Sequence, residues 1–271
     1  MTDPRRLAFL GLTASILLGT LYSVVYGTYL DTSNPLLTNL PHPLSPTHYW
    51  ATKSNWLNVY FIKKAWGWTT IVFLTTYSTS PLSTRTTSRF LKFALGTSIW
   101  LIFTGWFFGP ALLERVIAST GGECVLSLPS GDHISLPNEY CFTQKPVAPS
   151  DIPGLLTTSN TLLPADWSGK PRLRKGHDIS GHLFLLTLST LFIADQVRLS
   201  FRARTWTALH GLTIGLSAVL MVMWIFSTYI TSVYFHSPYE KLTGYGTCSI
   251  SQYVSASTNV MSQHLGWQVS P

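Results

Sequence analysis

Among eight histidines in 271 residues, two stand in settings that suit chemistry. His182 ends the run Lys175-Gly-His-Asp-Ile-Ser-Gly-His, and His236 lies within Val233-Tyr-Phe-His-Ser-Pro-Tyr-Glu240. Imidazole titrates near neutral pH, so a converging pair suits phosphoryl transfer without metal: one ring attacks phosphorus and the other protonates the leaving oxygen. Asp178 or Ser180 can cap a helix beginning beside Gly181 and His182, leaving free N–H groups that favour an anion. Lys170, Arg172, Arg174 and Lys175 stand directly upstream and are candidates to bind phosphate oxygens.

Glu240 follows His236 by four residues, and two readings stay open. On continuous helix its carboxylate would hold the second ring nitrogen. Alternatively, Ser237-Pro-Tyr-Glu240 is a capping box with Pro at the first helical position, in which Glu240 folds back onto the backbone. His177 is a possible helper to His182. His42, His48, His133, His210 and His264 read as structural or solvated. No HExxH, CxxC, Gly-rich phosphate loop or carboxylate cluster is present, so neither a metal nor a cofactor is expected.

These histidines need elements to carry them, and composition defines those elements. The chain is 46% hydrophobic and 13% aromatic but only 11% charged, against about 25% charged in a soluble domain. Leu7–Leu30, Ala65–Thr84, Phe93–Leu113, Ile179–Ala194 and Thr205–Tyr239 contain no Asp, Glu, Lys or Arg. A helix crossing a bilayer needs roughly 20 apolar residues. The expected fold is all-α, a polytopic membrane bundle with spans near 7–30, 65–84, 93–113, 179–197 and 205–235. The first reads as a retained anchor, because no cleavage site closes it. The fourth is short and either sits in a thin bilayer or extends through Asp195, and the fifth is one long tilted helix. Gly105-x-x-x-Gly109 and Gly211-x-x-x-Gly215 read as ordinary helix-packing sites.

Arg5, Arg6, Arg85, Arg89, Lys92, Arg198, Arg202 and Arg204 fall on one side of five alternating spans, which makes that side cytoplasmic. His182 and His236 then meet at the lumenal rim, on antiparallel helices joined by a short link. The loop 114–178 is lumenal, where Cys124 and Cys141 either pair or remain free thiols. After Lys241 the chain turns polar, with Ser249, Ser251, Gln252, Ser255, Ser257, Thr258 and Asn259, so residues 242–271 form a polar tail or a degenerate sixth span beside the 1–241 bundle.

The segments Gly176-His-Asp-Ile-Ser-Gly-His182-Leu-Phe-Leu-Leu-Thr and Val233-Tyr-Phe-His236-Ser-Pro-Tyr-Glu240-Lys resemble the two signatures of the fat storage-inducing transmembrane (FIT) family, fungal branch. That family is related to the lipid phosphate phosphatases, and the likeness implies a lipid-phosphatase-like core. It implies His182 of Ser180-Gly181-His182 as the acid, His236 as the nucleophile and Glu240, in place of Asp, as its orienting carboxylate. The superfamily's Ser-Arg is absent, with Tyr229 and Ile230 in its place, and no Lys-x6-Arg-Pro occurs, so other cations must clamp phosphate. The resemblance implies cleavage of fatty acyl-CoA to acyl 4′-phosphopantetheine and adenosine 3′,5′-bisphosphate at the lumenal face of the endoplasmic reticulum. It also implies support of lipid droplet formation and association with triacylglycerol and diacylglycerol. Nucleic acid is not an expected partner. Two other functions fit the same residues: a phosphatase of a lipid phosphate, and a non-catalytic neutral-lipid-binding droplet scaffold.

Overall fold

A computed structural model describes residues 3–30, 41–105, 110–143, 145–151, 166–201 and 205–247. Arg202, Arg204, Gly109, His264 and the tail beyond residue 247 lie outside the described residues. The chain forms two compact units, Met1–Leu30 with Pro41–Leu101 and Ser180–Pro271, and Asp31–Leu40 with Ile102–Ile179.

The first unit is a helix bundle of α1 (Pro4–Val25), α2 (Ala65–Thr79), most of α3 (Thr87–Thr104), α6 (Gly181–Ser200), α7 (Ala208–Tyr234) and a final helix over residues 238–247, here α8. Asp3 caps α1 by accepting from Arg5 N–H at 3.0 Å, and Pro4 takes the first helical position, where a missing N–H costs nothing. Among the described residues three helices, α1, α6 and α7, are long and apolar enough to cross a bilayer. α2 has 15 residues and α3 has 18, and α3 carries Arg89 and Lys92 in its first turns. Both therefore differ from the expected charge-free runs, which extended into the turns around Pro81 and Pro110.

α6 is the central helix. In its apolar window 89% of residues are buried, against 28% in α1 and 33% in α7, whose remaining faces display Leu and Val. Such faces suit lipid. α1 packs against α6 and α7, and α2 packs against the same two. The approach of α1 to α7 is close at Gly19, where a Cβ would meet the Ser232 Cβ at 2.7 Å. Around α6, Phe192 meets Phe73 at 5.4 Å and Trp66 at 5.9 Å between ring centres, with Phe73 stacked on Phe93 at 4.6 Å. The Gly211/Gly215 expectation needs correction: a Cβ at either would meet nothing within 4 Å, so that stripe packs no helix among the described residues.

The ends of α1 and α7 are fastened together at the face that carries His236. Leu30 N–H donates to Tyr234 O at 3.0 Å. The buried His42 accepts from Leu44 N–H at Nδ1 (3.0 Å), which leaves Nε2–H to donate to Tyr234 O (2.9 Å) and Thr28 O (3.0 Å). That arrangement is the neutral ring, and burial correspondingly holds His42 below the usual imidazole range. His210 is also structural: it is fully buried, with Nδ1 3.1 Å from Thr79 Oγ1.

The second unit departs from an all-α fold. It contains α4 (Leu112–Ser119), α5 (Asn138–Thr143) and a three-stranded antiparallel sheet of β1 (Glu123–Ser127), β2 (His133–Leu136) and β3 (Arg172–Arg174) in the order β2-β1-β3. Charge-free runs register only membrane-length helices, so strands of three to five residues in a polar loop escape them. Cys124 and Cys141 are joined by a disulfide and share a small core with Leu126 and Leu136, against which Trp167 and Leu173 pack.

Candidate active site

Ser180 caps α6 from extended backbone, its Oγ accepting from Leu183 N–H at 3.4 Å. Gly181 and His182 are then the first two helical residues, so His182 leaves the bundle core at the rim while Leu183 onward turns inward. At the other signature α7 ends at Tyr234, and His236 takes a left-handed conformation with φ of 62°. That conformation costs a residue with a Cβ on the order of 1 kcal/mol, and such strain gathers at functional positions. It reverses the chain between α7 and α8.

The capping-box reading of Glu240 holds, and its carboxylate also faces His236, without continuous helix and without a hydrogen bond between them. Its Oε2 accepts from Ser237 N–H at 2.8 Å while Glu240 N–H donates to Ser237 Oγ at 3.5 Å, which is the capping box that opens α8. The same Oε2 lies 3.6 Å from His236 Nδ1. Pro238 between them occupies the first turn of α8, so His236 is outside that helix and the turn, rather than helical spacing, brings carboxylate to ring. Glu240 is buried, and His236 Nδ1, also buried, makes no hydrogen bond. The carboxylate is thus the group facing that nitrogen, at a separation that a small ring movement would close.

The two signatures touch directly. Ser180 N–H donates to Glu240 O at 3.2 Å, joining the cap of α6 to the first turn of α8. His182 lies within electrostatic reach of His236 and of Lys63. Lys63 is exposed, on a single-turn helix (Ile62–Lys64) that leads into α2 and packs against α6. Sequence reasoning passed over it, since no motif marks it. The available signal was its place just before the charge-free Ala65–Thr84, at the same membrane face as His182.

α8 is itself anchored. Lys241 is fully buried; its Nζ donates to Ser23 Oγ of α1 at 2.8 Å and lies 5.2 Å from the Tyr29 ring centre. Burial pushes its ammonium down to about 7, opposed by the Glu240 carboxylate. Tyr245 OH and Thr13 Oγ1 are 2.7 Å apart.

The basic run occupies the second unit. Lys175 Nζ pairs with Glu123 at 2.9 Å, Arg174 is buried with Nη2 donating to Ser127 Oγ at 3.3 Å, and Lys170 and Arg172 are exposed. Arg174 and Lys175 therefore hold the sheet and its following turn. His177 lies in that unit too, its backbone N–H donating to Thr120 Oγ1 at 2.7 Å. Among the described residues no group of three His, Cys, Asp or Glu could hold a metal ion.

The fat storage-inducing transmembrane protein model matches residues 46–213 and 202–255, a range that includes every residue just placed around the two histidines except those of α1 and the adjacent Tyr29. The chain belongs to that family. Within it, the FIT chain is 28% identical to acyl-coenzyme A diphosphatase fit1 of Schizosaccharomyces pombe over 238 residues, covering 85% of this chain and 76% of that protein. It is 28% identical to human acyl-coenzyme A diphosphatase FITM2 over 245 residues, 84% of this chain and 81% of that one. The Xenopus tropicalis FITM2, bearing the same activity name, is 26% identical over 219 residues, 78% and 72% of the respective chains. No solved structure matches this FIT chain.

Proposed function

We propose that this FIT protein is a fatty acyl-CoA diphosphatase whose nucleophile is His236 and whose acid is His182. The observation that carries the reading is the joining of the two histidine segments, Ser180 N–H to Glu240 O at 3.2 Å, with Glu240 Oε2 facing His236 Nδ1 at 3.6 Å. A carboxylate at Nδ1 favours the tautomer that presents Nε2 with its lone pair. Nε2 then attacks one phosphorus of the diphosphate, and the bridging P–O bond breaks. The leaving phosphate takes its proton from His182. Water next attacks the phosphohistidine, giving its proton to the now neutral His182 and returning His236 to its starting form. The products are acyl 4′-phosphopantetheine and adenosine 3′,5′-bisphosphate. Lys63, exposed and close to His182, is the cation best placed to offset charge gathering on the phosphate oxygens.

The acyl chain would lie against the apolar faces of the bundle with its polyanionic head at the rim. On the positive-inside distribution that rim is lumenal, in the endoplasmic reticulum, where removal of acyl-CoA would support lipid droplet formation and membrane lipid composition. The names carried by the fission yeast and human relatives favour acyl-CoA over a lipid phosphate as substrate. The test is release of adenosine bisphosphate from oleoyl-CoA by purified protein. His236→Ala is expected to abolish it, and equal rates for the two proteins would remove the enzymatic reading.

A further inference from the structure

At the opposite end of α6 from His182 lies a second charged cluster that the proposed reaction does not use. Asp195 takes three cations on one carboxylate: Lys92 at 2.9 Å on Oδ2, and Arg198 at 3.3 Å and Arg5 at 3.7 Å on Oδ1. Beside it Arg89 is 1% exposed. Its Nε donates to Gln196 Oε1 at 2.8 Å, and Nη1 donates to Ser80 Oγ at 3.1 Å and Thr84 O at 3.2 Å. Among the described residues its Nη2 has no partner, and neither do Gln196 Nε2, Arg5 Nε or Arg198 Nε. Every one of these unsatisfied atoms is a donor.

Charge is unbalanced in the same sense. Among the described residues Arg89 makes no ion pair within 4 Å, and it senses Asp195 only at longer range, a carboxylate already shared by three other cations. The remaining titratable neighbours leave the excess in place. Asp3 pairs with Arg5 at 3.2 Å, Tyr77 lies with its ring centre 5.5 Å from the Arg89 guanidinium, and His210 senses Arg89 as a further positive group. Among the described residues four cations therefore face two carboxylates. A guanidinium held out of water with an open N–H edge calls for an acceptor, and an anion answers both deficits.

The location says which anion. Arg5 is the second residue of α1, Arg89 and Lys92 the third and sixth of α3, and Arg198 lies in the last turn of α6. All sit at the ends of apolar helices, with Arg198 about 24 Å along α6 from His182. The N-termini of α1 and α3 point the same way and add partial positive charge. Side chains of Lys92, Arg198 and Arg5 are 22%, 23% and 42% exposed, so the cluster opens to the surface. We propose that this end of the bundle is a phosphate-binding site for an anionic phospholipid headgroup of the leaflet remote from the histidine pair, held by Lys92, Arg198 and Arg5 over a buried Arg89–Gln196 floor.

The experiment is thermal unfolding of the purified full chain in phosphatidylcholine nanodiscs, with and without added phosphatidylserine, and separately with inorganic phosphate. It reads stability, so its outcome is independent of whether the chain hydrolyses acyl-CoA. Phosphatidylserine is expected to raise Tm in a salt-sensitive manner, and inorganic phosphate much less. Arg198→Gln, which leaves Asp195 paired with Lys92 and Arg5, should shrink the rise, whereas Asp195→Asn, which frees three cations, should enlarge it. If the cluster is only an internal ion-pair network, both variants lower Tm by the same amount with and without phosphatidylserine. That result, or a rise produced equally by inorganic phosphate, overturns the proposal.

Discussion

Gly244 stands against the carbonyl of Ser180: a Cβ on it would meet that oxygen at 2.6 Å and the Ser180 Cβ at 3.2 Å. Ser180 also donates its N–H to Glu240 O. α8 therefore bears on the cap of α6 at two successive turns, and a push on that cap reaches His182 through Gly181. Gly244→Ala is expected to cost about 1–3 kcal/mol by overpacking and to lower kcat well beyond what that loss explains. Gly246→Ala, whose Cβ meets nothing within 4 Å, should leave both unchanged. Turnover of oleoyl-CoA and thermal unfolding of the two variants decide the matter. Like behaviour of the two alanines would remove α8 from the positioning of His182.

Glu240 presents one oxygen both to a helix cap and toward a histidine, and the two contacts separate by substitution. Glu240→Gln keeps an oxygen to accept from Ser237 N–H but removes the charge facing His236. Stability should be nearly retained, while kcat falls about 10²-fold, the low end for losing assistance to a catalytic base or nucleophile. Glu240→Ala removes the cap as well and should cost a further ~1 kcal/mol of stability. Matching kcat losses with unchanged KM would place the effect in the chemical step; wild-type turnover in Glu240→Gln would exclude the carboxylate from it.

Much of the placement of this candidate site was legible because its residues sit in two short segments at the ends of long apolar runs. Ser180, His182, His236 and Glu240 are fixed by local rules: an N-cap, a helix end, a capping box. Glu240 could not be resolved between its two roles, since four-residue spacing does not reveal that Pro238 starts a new helix and that His236 turns left-handed before it. The phosphate cations were harder. Lys170 to Lys175 stand next to His182 in sequence, yet Arg174 and Lys175 hold a small sheet that no periodicity announced. Lys63 is more than a hundred residues from His182 in sequence, and only the packing of its short helix on α6 brings it near. The length of α2 was also misjudged, because absence of charge continues through a Pro-containing turn where helix does not.

Lys63 and Lys64 are adjacent and both exposed, which gives a built-in control. Lys63→Gln should lower kcat/KM for oleoyl-CoA by roughly tenfold or more, as expected when a charge near a transferring phosphoryl group is lost. Lys63 lies within electrostatic reach of His182, and Lys64→Gln should change turnover little. Steady-state kinetics at fixed ionic strength test this. Equal losses in both would point to general attraction of a polyanionic substrate instead of a particular contact with phosphate.

Lys241 makes stability depend on pH, and the sign follows from its burial. The folded chain lowers it to about 7 from an ordinary 10.5, chiefly by desolvation. Between those values the unfolded chain binds more protons than the folded one, so stability from this group rises with pH. The burial penalty is fully present below about pH 7 and absent above about pH 10.5. Lys241→Met carries no such titration. The Tm of the wild type relative to that variant should therefore climb as pH is raised from 7 toward 10. Lys241→Arg cannot shed its proton, and it should be destabilised across the whole range. Parallel profiles for wild type and Lys241→Met would mean that the ammonium keeps its proton and its charge against Ser23 and Tyr29 throughout.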